Sequence, residues 1–397
     1  MMTGINERDP LVDAVGALTA ETTELLKVYR GAKTELDEKI ASATGSANIA
    51  TEKASEAAAL AAKATSEAAK ATQISGLNNV DAALAAREGE FVGNAVSNTT
   101  GSRMKQILDG NGNYNTMVSI PCFTFDDVGM GDLMGTGVHP AFLRQNGTVI
   151  PEVWIGAYTA ANKSNNAIVQ GGLDPWNYIN FDDAKAKCSA MGAGWHMMTA
   201  MEWSAVALWC LANGFQPGGN TEYGRNHAKK FQSCKRMDSK APNDRTGTPR
   251  GLCGTGPDSW RHDGTPFGIS DLVGNVWEWI DGFKLVDNKL HVSSFSGQPE
   301  SDWTSTDIGI TSGSGGAWGS STLSGSNTTL KQMLIEKIDA TNTLQGNLWH
   351  TATGERLPFR GGDWGNGSGC GVGALNLGNE RSYRNNNIGF RPAFIAV

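Results

Sequence analysis

The sequence has no apolar run approaching the roughly 18 residues that a bilayer-spanning helix needs, so membrane insertion is not predicted. Charge is sparse: 18% of residues are Asp, Glu, Lys or Arg, with a formal net charge of -7. An acidic chain lacks the basic field that draws in phosphates, which argues against nucleic acid as a partner. The cysteines are Cys122, Cys188, Cys210, Cys234, Cys253 and Cys370, and none forms a C-x-x-C pair, which argues against zinc ribbons and redox motifs. The histidines are His139, His196, His227, His262, His291 and His350, with no pair four apart, so zinc-hydrolase chemistry has no support. No G-x-S-x-G, P-loop or dinucleotide fingerprint occurs. The N-terminus lacks a basic start followed by an apolar run, so secretory export is not predicted. Without export the six thiols default to the reduced state, and one or two disulfides are open to a product that ends outside a cell.

Trp and Cys are both missing from the first 90 residues, which are rich in Ala, Glu, Lys and Thr. All 12 Trp follow Met117, so the globular mass is C-terminal. In the first part, Leu11, Val15, Leu18, Thr22, Leu25, Tyr29, Ala32 and Leu36 alternate in steps of four and three. That is the a/d spacing of a left-handed coiled coil. An Ile40 stutter leads into an alanine register running from Ala43 to Ala71. An alanine seam buries little area, so such a helix needs copies of itself. The reading is a stalk, with a solvated Ala/Lys/Glu linker as the alternative. Gly45 and Gly76 are expected to interrupt it. The expected divisions are an attachment segment and helical start over 1–30, a coiled-coil stalk over 31–90, a neck over 91–118 and a globular domain over 119–397.

In that domain, IPCFTF reads as a strand. NFDDAKAKCSAMG reads as a helix with Asn180 as N-cap and Gly192 as its stop. TAMEWSAVALWCLANG reads as a second, opened by a Thr199/Glu202 capping box. Residues 286–350 read mostly as loop, with a short helix over KQMLIEKID.

Three runs then occur in order: GISDLVGNVWEWIDGF (Gly268 to Phe283), RGGDW (Arg360 to Trp364) and NIGFRPAF (Asn387 to Phe394). Together with the paired helices they resemble the formylglycine-generating-enzyme-like branch of the C-type lectin fold. The resemblance covers roughly residues 120–397. It implies an α+β, C-type-lectin-like C-terminal domain, here on an N-terminal α-helical coiled-coil stalk. Trp277 and Trp279 are expected on opposite sides of an extended run, at least one of them in the core. Family members can hold calcium at the GNVWEW segment, so Asn275 and Glu278 are candidate calcium ligands. Satisfaction of local backbone groups by these side chains is the alternative. The oxidase branch needs two cysteines after the R-G-G run, near Asn366 and Gly371. Only Cys370 is present, and one thiolate without a partner builds no soft-metal site. The expectation is therefore no enzyme and no cofactor, calcium apart.

The stretch WGNGSGCGVGALNLGNERSYRNNNI alternates apolar anchors (Trp364, Val372, Leu375, Leu377, Ile388, Phe390) with small or polar residues. It resembles the variable region of proteins diversified by retroelements, in which adenine-rich asparagine codons are mutagenised. Changes at the first two bases of AAC yield Gly, Ser, Tyr, Arg, Cys, Asp, His or Thr. That repertoire occupies Gly365, Asn366, Ser368, Gly369, Cys370, Gly373, Gly378, Tyr383, Arg384, Asn385 and Asn386, the candidate ligand-binding positions of a variable region over 364–390. Glu380 departs from it. A Gly/Asn-rich surface loop without diversification is the alternative.

Stalk and head together read as a phage tail-fibre or receptor-binding protein, made in the host cytoplasm and carried on the virion tail. Its expected partners are a host-cell-surface protein or glycan, copies of itself through 11–90 (a trimer by architecture), and other tail or virion proteins through the N-terminus. An exported bacterial adhesin, an oxidase with an unorthodox site, and a structural virion protein with an inert head are the other readings.

Overall fold

The computed structural model describes residues 16–40, 94–96, 103–338 and 344–396. The chain divides into two compact units, Met1–Leu77 and Asn78–Val397. In the first, residues 16–40 form one helix, α1, as the heptad spacing predicts. Pairs four apart, Lys33 with Asp37 at 2.8 Å and Lys39 with Glu35 at 2.7 Å, line its surface. Leu18, Leu25, Tyr29, Leu36 and Ile40, all on the predicted seam, are exposed. The expected attachment segment up to residue 15 and the stalk over 41–90 lie outside the described residues.

The second unit is α+β, built on two sheets. In chain order come β1 (Asn94–Val96), β2 (Arg103–Leu108), β3 (Tyr114–Pro121), α2 (Gly131–Met134), β4 (Glu152–Gly156) and the hairpin β5–β6 (Ala161–Lys163, Asn166–Ile168). Then follow α3 (Phe181–Ser189), β7 (Trp195–Met197), α4 (Ala200–Ala212), β8 (Trp277–Trp279), β9 (Phe283–Val286), β10 (Lys289–Val292), β11 (Thr304–Ser305) and β12 (Gly316–Ala317). The chain closes with α5 (Thr328–Gln332), β13 (Asn347–His350), β14 (Glu355–Gly361), β15 (Gly371–Asn379), β16 (Ile388–Phe390) and β17 (Pro392–Phe394). The first sheet has the order β1-β2-β3-β4-β17-β7. The second runs β11-β10-β9-β14-β15-β13-β12, with β8 bridging β14 and β16.

Both predicted helices are present with their predicted caps. Asn180 Oδ1 accepts from Asp183 N at 2.8 Å. The reciprocal bonds of Thr199 and Glu202 open α4. Helix α4 is buried on nearly every side from Ala200 to Cys210, so it is a core helix rather than an amphipathic one.

Four expectations are corrected. The neck does not end at 118: β2 and β3 pair along their length and β3 pairs β4, so residues 103–118 belong to the head. Trp277 and Trp279 do not face opposite ways. Residues two apart in a strand share a face, and both pack on Phe359, with ring centroids 6.2 and 4.0 Å away. The 286–350 region carries strands: Asp287 and Asn288, both at positive φ, turn β9 into β10, and the Asp-Asn pair supplies that turn signal. The helix within it covers Thr328–Gln332 only.

Arg391, the one residue between β16 and β17, is fully buried. Its Nε and Nη2 donate to both carboxylate oxygens of Glu278 at 2.8 and 2.6 Å. The remaining donors reach Gly156 O at 2.8 Å and Ser270 O at 2.9 Å. Breaking a buried pair strands the other charge and costs about 3–5 kcal/mol. Arg391→Met should therefore lower unfolding free energy by about that amount in chemical denaturation. Glu278→Met added to it should restore part of the loss; no recovery in the double variant would refute the pairing account.

Candidate ligand-binding face

The segment after β14 is tied to the head through its backbone. Tyr223 N donates to Trp364 O at 2.8 Å, and Gly367 N to Thr221 O at 3.1 Å. At the far end, Tyr178 N donates to Asn385 O at 2.9 Å, Trp277 N to Asn387 O at 2.8 Å and Arg250 Nη1 to Asn386 O at 3.0 Å. Asp363 joins the two ends: its carboxylate accepts from Gly365 N at 2.7 Å and Asn387 Nδ2 at 2.6 Å. Burial pushes the Asp363 carboxyl pKa up, with these hydrogen bonds acting against it. Main-chain tethers hold whatever side chain a position carries, so the backbone course does not depend on most of the candidate side chains.

The candidate positions separate by exposure. Gly365, Ser368, Tyr383 and Arg384 face solvent, and Asn366, Gly378, Asn385 and Asn386 are half-buried. Asn366 Oδ1 accepts from Asp363 N at 2.9 Å, and Asn385 Oδ1 from Asn386 N at 2.7 Å, so these two also shape their turns. Gly369, Cys370 and Gly373 are buried, which corrects their assignment to an outward surface. A Cβ on Gly369 would lie 2.9 Å from the Trp349 ring, and one on Gly373 would lie 2.7 Å from Leu344 Cβ. The Cys370 thiol donates to Asp363 O at 3.1 Å, and burial pushes its pKa well up.

Beneath the face runs a seam of rings. Trp349 meets Trp277 edge-on at 5.4 Å, Trp277 meets Phe359 at 6.2 Å, and Phe359 meets Tyr383 at 6.4 Å. Tyr383, 39% exposed, and half-buried Trp349 are its outer ends. Sequence reasoning missed Trp349, Asn376, Ser382 and Asn387 as parts of this face. Asn376 was findable: it lies between core residues Leu375 and Leu377 in β15, so it points the other way and is the register partner of Trp349.

At one edge a cleft of ≈ 420 Å³ is lined by Asn180, Asp182, Glu355, Glu380, Arg381 and Ser382. Arg381 bridges Asp182, Glu300 and Glu355, and Lys284 joins Glu300 at 2.7 Å and Glu355 at 2.9 Å. Hydrogen bonds from Arg381 lead the causes that hold the Glu355 pKa down at about 2. A separate cleft of ≈ 580 Å³ includes Arg144, Trp195, His196 and Phe295. Both ring nitrogens of His196 are engaged, with Gly194 O at 3.0 Å and Glu202 at 2.7 Å, so it offers no free base.

The calcium expectation does not fit the donors. Both Glu278 oxygens are held by Arg391, and Asn275 Oδ1 accepts from Gly251 N at 2.7 Å and Asn220 Nδ2 at 3.2 Å. Asn275 thus serves backbone groups, those of Gly251, as the alternative had it, whereas Glu278 serves a distant side chain rather than local backbone. Among the described residues no group of three or more His, Cys, Asp or Glu is placed to hold a metal ion. All six cysteines are free thiols.

What these features define is an α+β domain presenting a tethered, solvent-facing segment over an aromatic core. Residues 136–395 match the sulfatase-modifying factor enzyme 1-like domain, and the chain belongs to that family. This is the family suggested by the GNVWEW, RGGDW and GFRPAF runs. Among solved structures, the chain is similar to the Major Tropism Determinant U1 variant, at 12% identity and a TM-score of 0.29 over 74% of this chain and 63% of that one. It thus spans under two thirds of that protein's length. It is also similar to PvdO from Pseudomonas aeruginosa, at 14% identity and a TM-score of 0.30 over 77% and 99% of the two chains. Treponema denticola variable protein 1 is similar at 14% identity, with a TM-score of 0.27 and the same coverage. No curated protein matches in sequence.

Two outcomes are expected here. Gly373→Ser should destabilise the head by about 1–3 kcal/mol through overpacking, whereas Ser368→Tyr should change its melting temperature little. The ordinary Glu355 pKa of 4.5 falls to about 2 on folding. Its stabilisation is complete above the unfolded value and is lost as pH falls through the folded one. Glu355→Gln should accordingly flatten the acid limb of a stability–pH curve between those values; an unchanged slope would refute the assignment.

Proposed function

We propose that the head is a non-catalytic receptor-binding domain whose 364–390 segment displays diversified side chains to a host-cell-surface protein or glycan. The observation that carries this reading is the placement of Gly365, Ser368, Tyr383 and Arg384 in solvent on a backbone fastened by main-chain hydrogen bonds. Exposed positions change identity at a cost usually below about 0.5 kcal/mol, so one scaffold accommodates many binding surfaces. Rigid Tyr and adaptable Ser and Asn suit recognition of a protein or glycan surface.

In this reading the chain is a phage tail-fibre or tail-tip protein. Copies associate through 11–90 into an oligomer, a trimer by architecture, and the N-terminus joins other virion proteins. The exposed seam of α1 supports self-association, because Leu18, Leu25, Leu36 and Ile40 need a covering partner. Several linked heads raise avidity by about 10^2 to 10^4. No helix among the described residues is long and apolar enough to cross a membrane. An exported adhesin would use the same head. The oxidase reading lacks the second cysteine its motif requires, since Cys370 is the only one after the R-G-G run.

Tyr383→Ala with Arg384→Ala should reduce adsorption to host cells by at least about tenfold while leaving the melting temperature within about 2 °C of the parent. Unfolding of that variant would place these residues in the core and end the reading. Sequencing of progeny should find substitutions concentrated at the solvent-facing codons of 364–390 and absent from Gly369 and Gly373. An invariant segment would remove diversification.

A further inference from the structure

Residues 223–250 carry eight basic side chains against two acidic ones, in a chain whose net charge is -7. Three of the cations are used internally. Arg225 pairs with Glu222 and Arg250 with Asp174. Buried Arg236 bonds the Asp238 carboxylate and the carbonyls of Tyr223, Ala241, Asp244 and Thr246, so a guanidinium serves as the core of this loop. Lys229, Lys230, Lys235, Lys240 and Arg245 are exposed and have no ion-pair partner among the described residues. Lys240 Nζ bonds the Thr246 hydroxyl at 2.6 Å, and the Asp244 carboxylate on the other side of that hydroxyl feels its charge without forming an ion pair.

The tip of the loop is built rigidly. Asn226 Oδ1 accepts from Ala228 N at 2.9 Å and Lys229 N at 2.8 Å. Gln232 bonds Ser259 Oγ at 2.9 Å and Trp260 Nε1 at 3.0 Å. This frame holds Lys229, Lys230 and Phe231 outward, and Phe231 is 85% exposed. A bare aromatic ring beside two exposed lysines has no role in this head's own core. The loop also abuts the variable segment: Tyr223 N bonds Trp364 O, and the Arg245 guanidinium lies 5.0 Å over the Tyr223 ring.

We propose that this loop is a second binding surface, one that takes an acidic polysaccharide. The lysines meet its phosphate, sulfate or carboxylate groups, and Phe231 lies against the apolar face of a sugar ring. A single exposed ring on a stiff tip suits a sugar better than a bilayer, which an inserting surface meets with several apolar side chains. A lone exposed ring also offers no platform on which successive bases of a single strand could stack. The surface lies outside 364–390, so its charge is independent of any diversification there. The inference does not rest on the variable-face reading, because its probe tests charge and adsorption of Tyr383 variants tests the other face.

The experiment uses the full chain and immobilised dextran sulfate, with neutral dextran, single-stranded DNA and anionic phospholipid vesicles as parallel arms. Binding to dextran sulfate alone is expected, with affinity falling as salt rises. Lys229→Ala/Lys230→Ala/Lys235→Ala should weaken it by at least about tenfold and reduce the salt slope. Phe231→Ala should weaken it severalfold with the slope kept. All four side chains are on the surface, so the melting temperature should hold, and a variant that loses binding by unfolding would be seen there. Unchanged affinity in the triple-lysine variant would overturn the proposal. So would equal retention on neutral dextran, or preference for the vesicles or DNA over dextran sulfate.

Discussion

Arg391 stands where the chain leaves β16 in one sheet and enters β17 in the other, and its guanidinium is engaged on every side. Glu278 is contributed by β8, Gly156 by the end of β4, and Ser270 by the segment leading into the GNVWEW run. A charge taken wholly out of water is tolerable only when each donor finds an acceptor in good geometry. Glu278 and Arg391 are both fully buried, so the junction is dry, and burial raises the Glu278 pKa with Arg391 opposing it. Both sheets must therefore meet in one arrangement. Arg360, also fully buried, ties β14 to the 286–350 region in a less complete way: it donates to Met333 O and Leu334 O at 3.0 Å each, but has no carboxylate partner among the described residues and its Nε is left unpaired.

With the junction fixed from below, β15 can serve two masters by its period of two. Leu375 and Leu377 enter the core on one face, while Asn376 and Gly378 look out on the other. The segments flanking β15 are secured by main-chain bonds, and Asp363 closes the loop between them. A surface organised in this way tolerates side-chain exchange where Cβ atoms point to water. It rejects exchange at Gly369 and Gly373, where a Cβ has no room.

The parts of the fold legible in the sequence were those carried by local chemistry. Asn180 and Thr199/Glu202 announced two helices because caps are set by three or four neighbouring residues. The heptad spacing announced α1. Composition placed most of the core in the tryptophan-bearing part, which starts at Trp154, but not Ile107 and Met117, which are also core. What was hidden depended on pairing across long separations. The β2–β3 hairpin looked like a neck because its polar residues, Asn115 among them, are satisfied by partners such as Val169 N that no local window contains. Glu278 looked like a metal ligand because its true partner lies 113 positions away. Of the candidate face, exposure was right for Gly365, Ser368, Tyr383 and Arg384. It failed for Gly369, Cys370 and Gly373, since a glycine on a surface loop and one under a tryptophan read alike.

Charge around the face is distributed unevenly, and that bears on how it could select a target. Asp363, Glu355, Arg381 and Arg250 all lie at or beneath it, and each is spent on a partner inside the head. Arg384 is the one cation of the exposed set without an ion pair among the described residues. Short-range discrimination there falls to neutral hydrogen-bonding groups, to Tyr383 and to Arg384, all of them within the segment proposed to vary. Long-range attraction decays only over about a Debye length and is best supplied by charges that do not vary. The free lysines of 223–250 sit in a frame built by Arg236, Asn226 and Gln232, none of which belongs to the variable segment. If the 364–390 face and the 223–250 loop act as proposed, separating the two tasks lets identity at the face change without erasing the initial attraction to an anionic surface, a division that a face bearing its own fixed charges could not maintain.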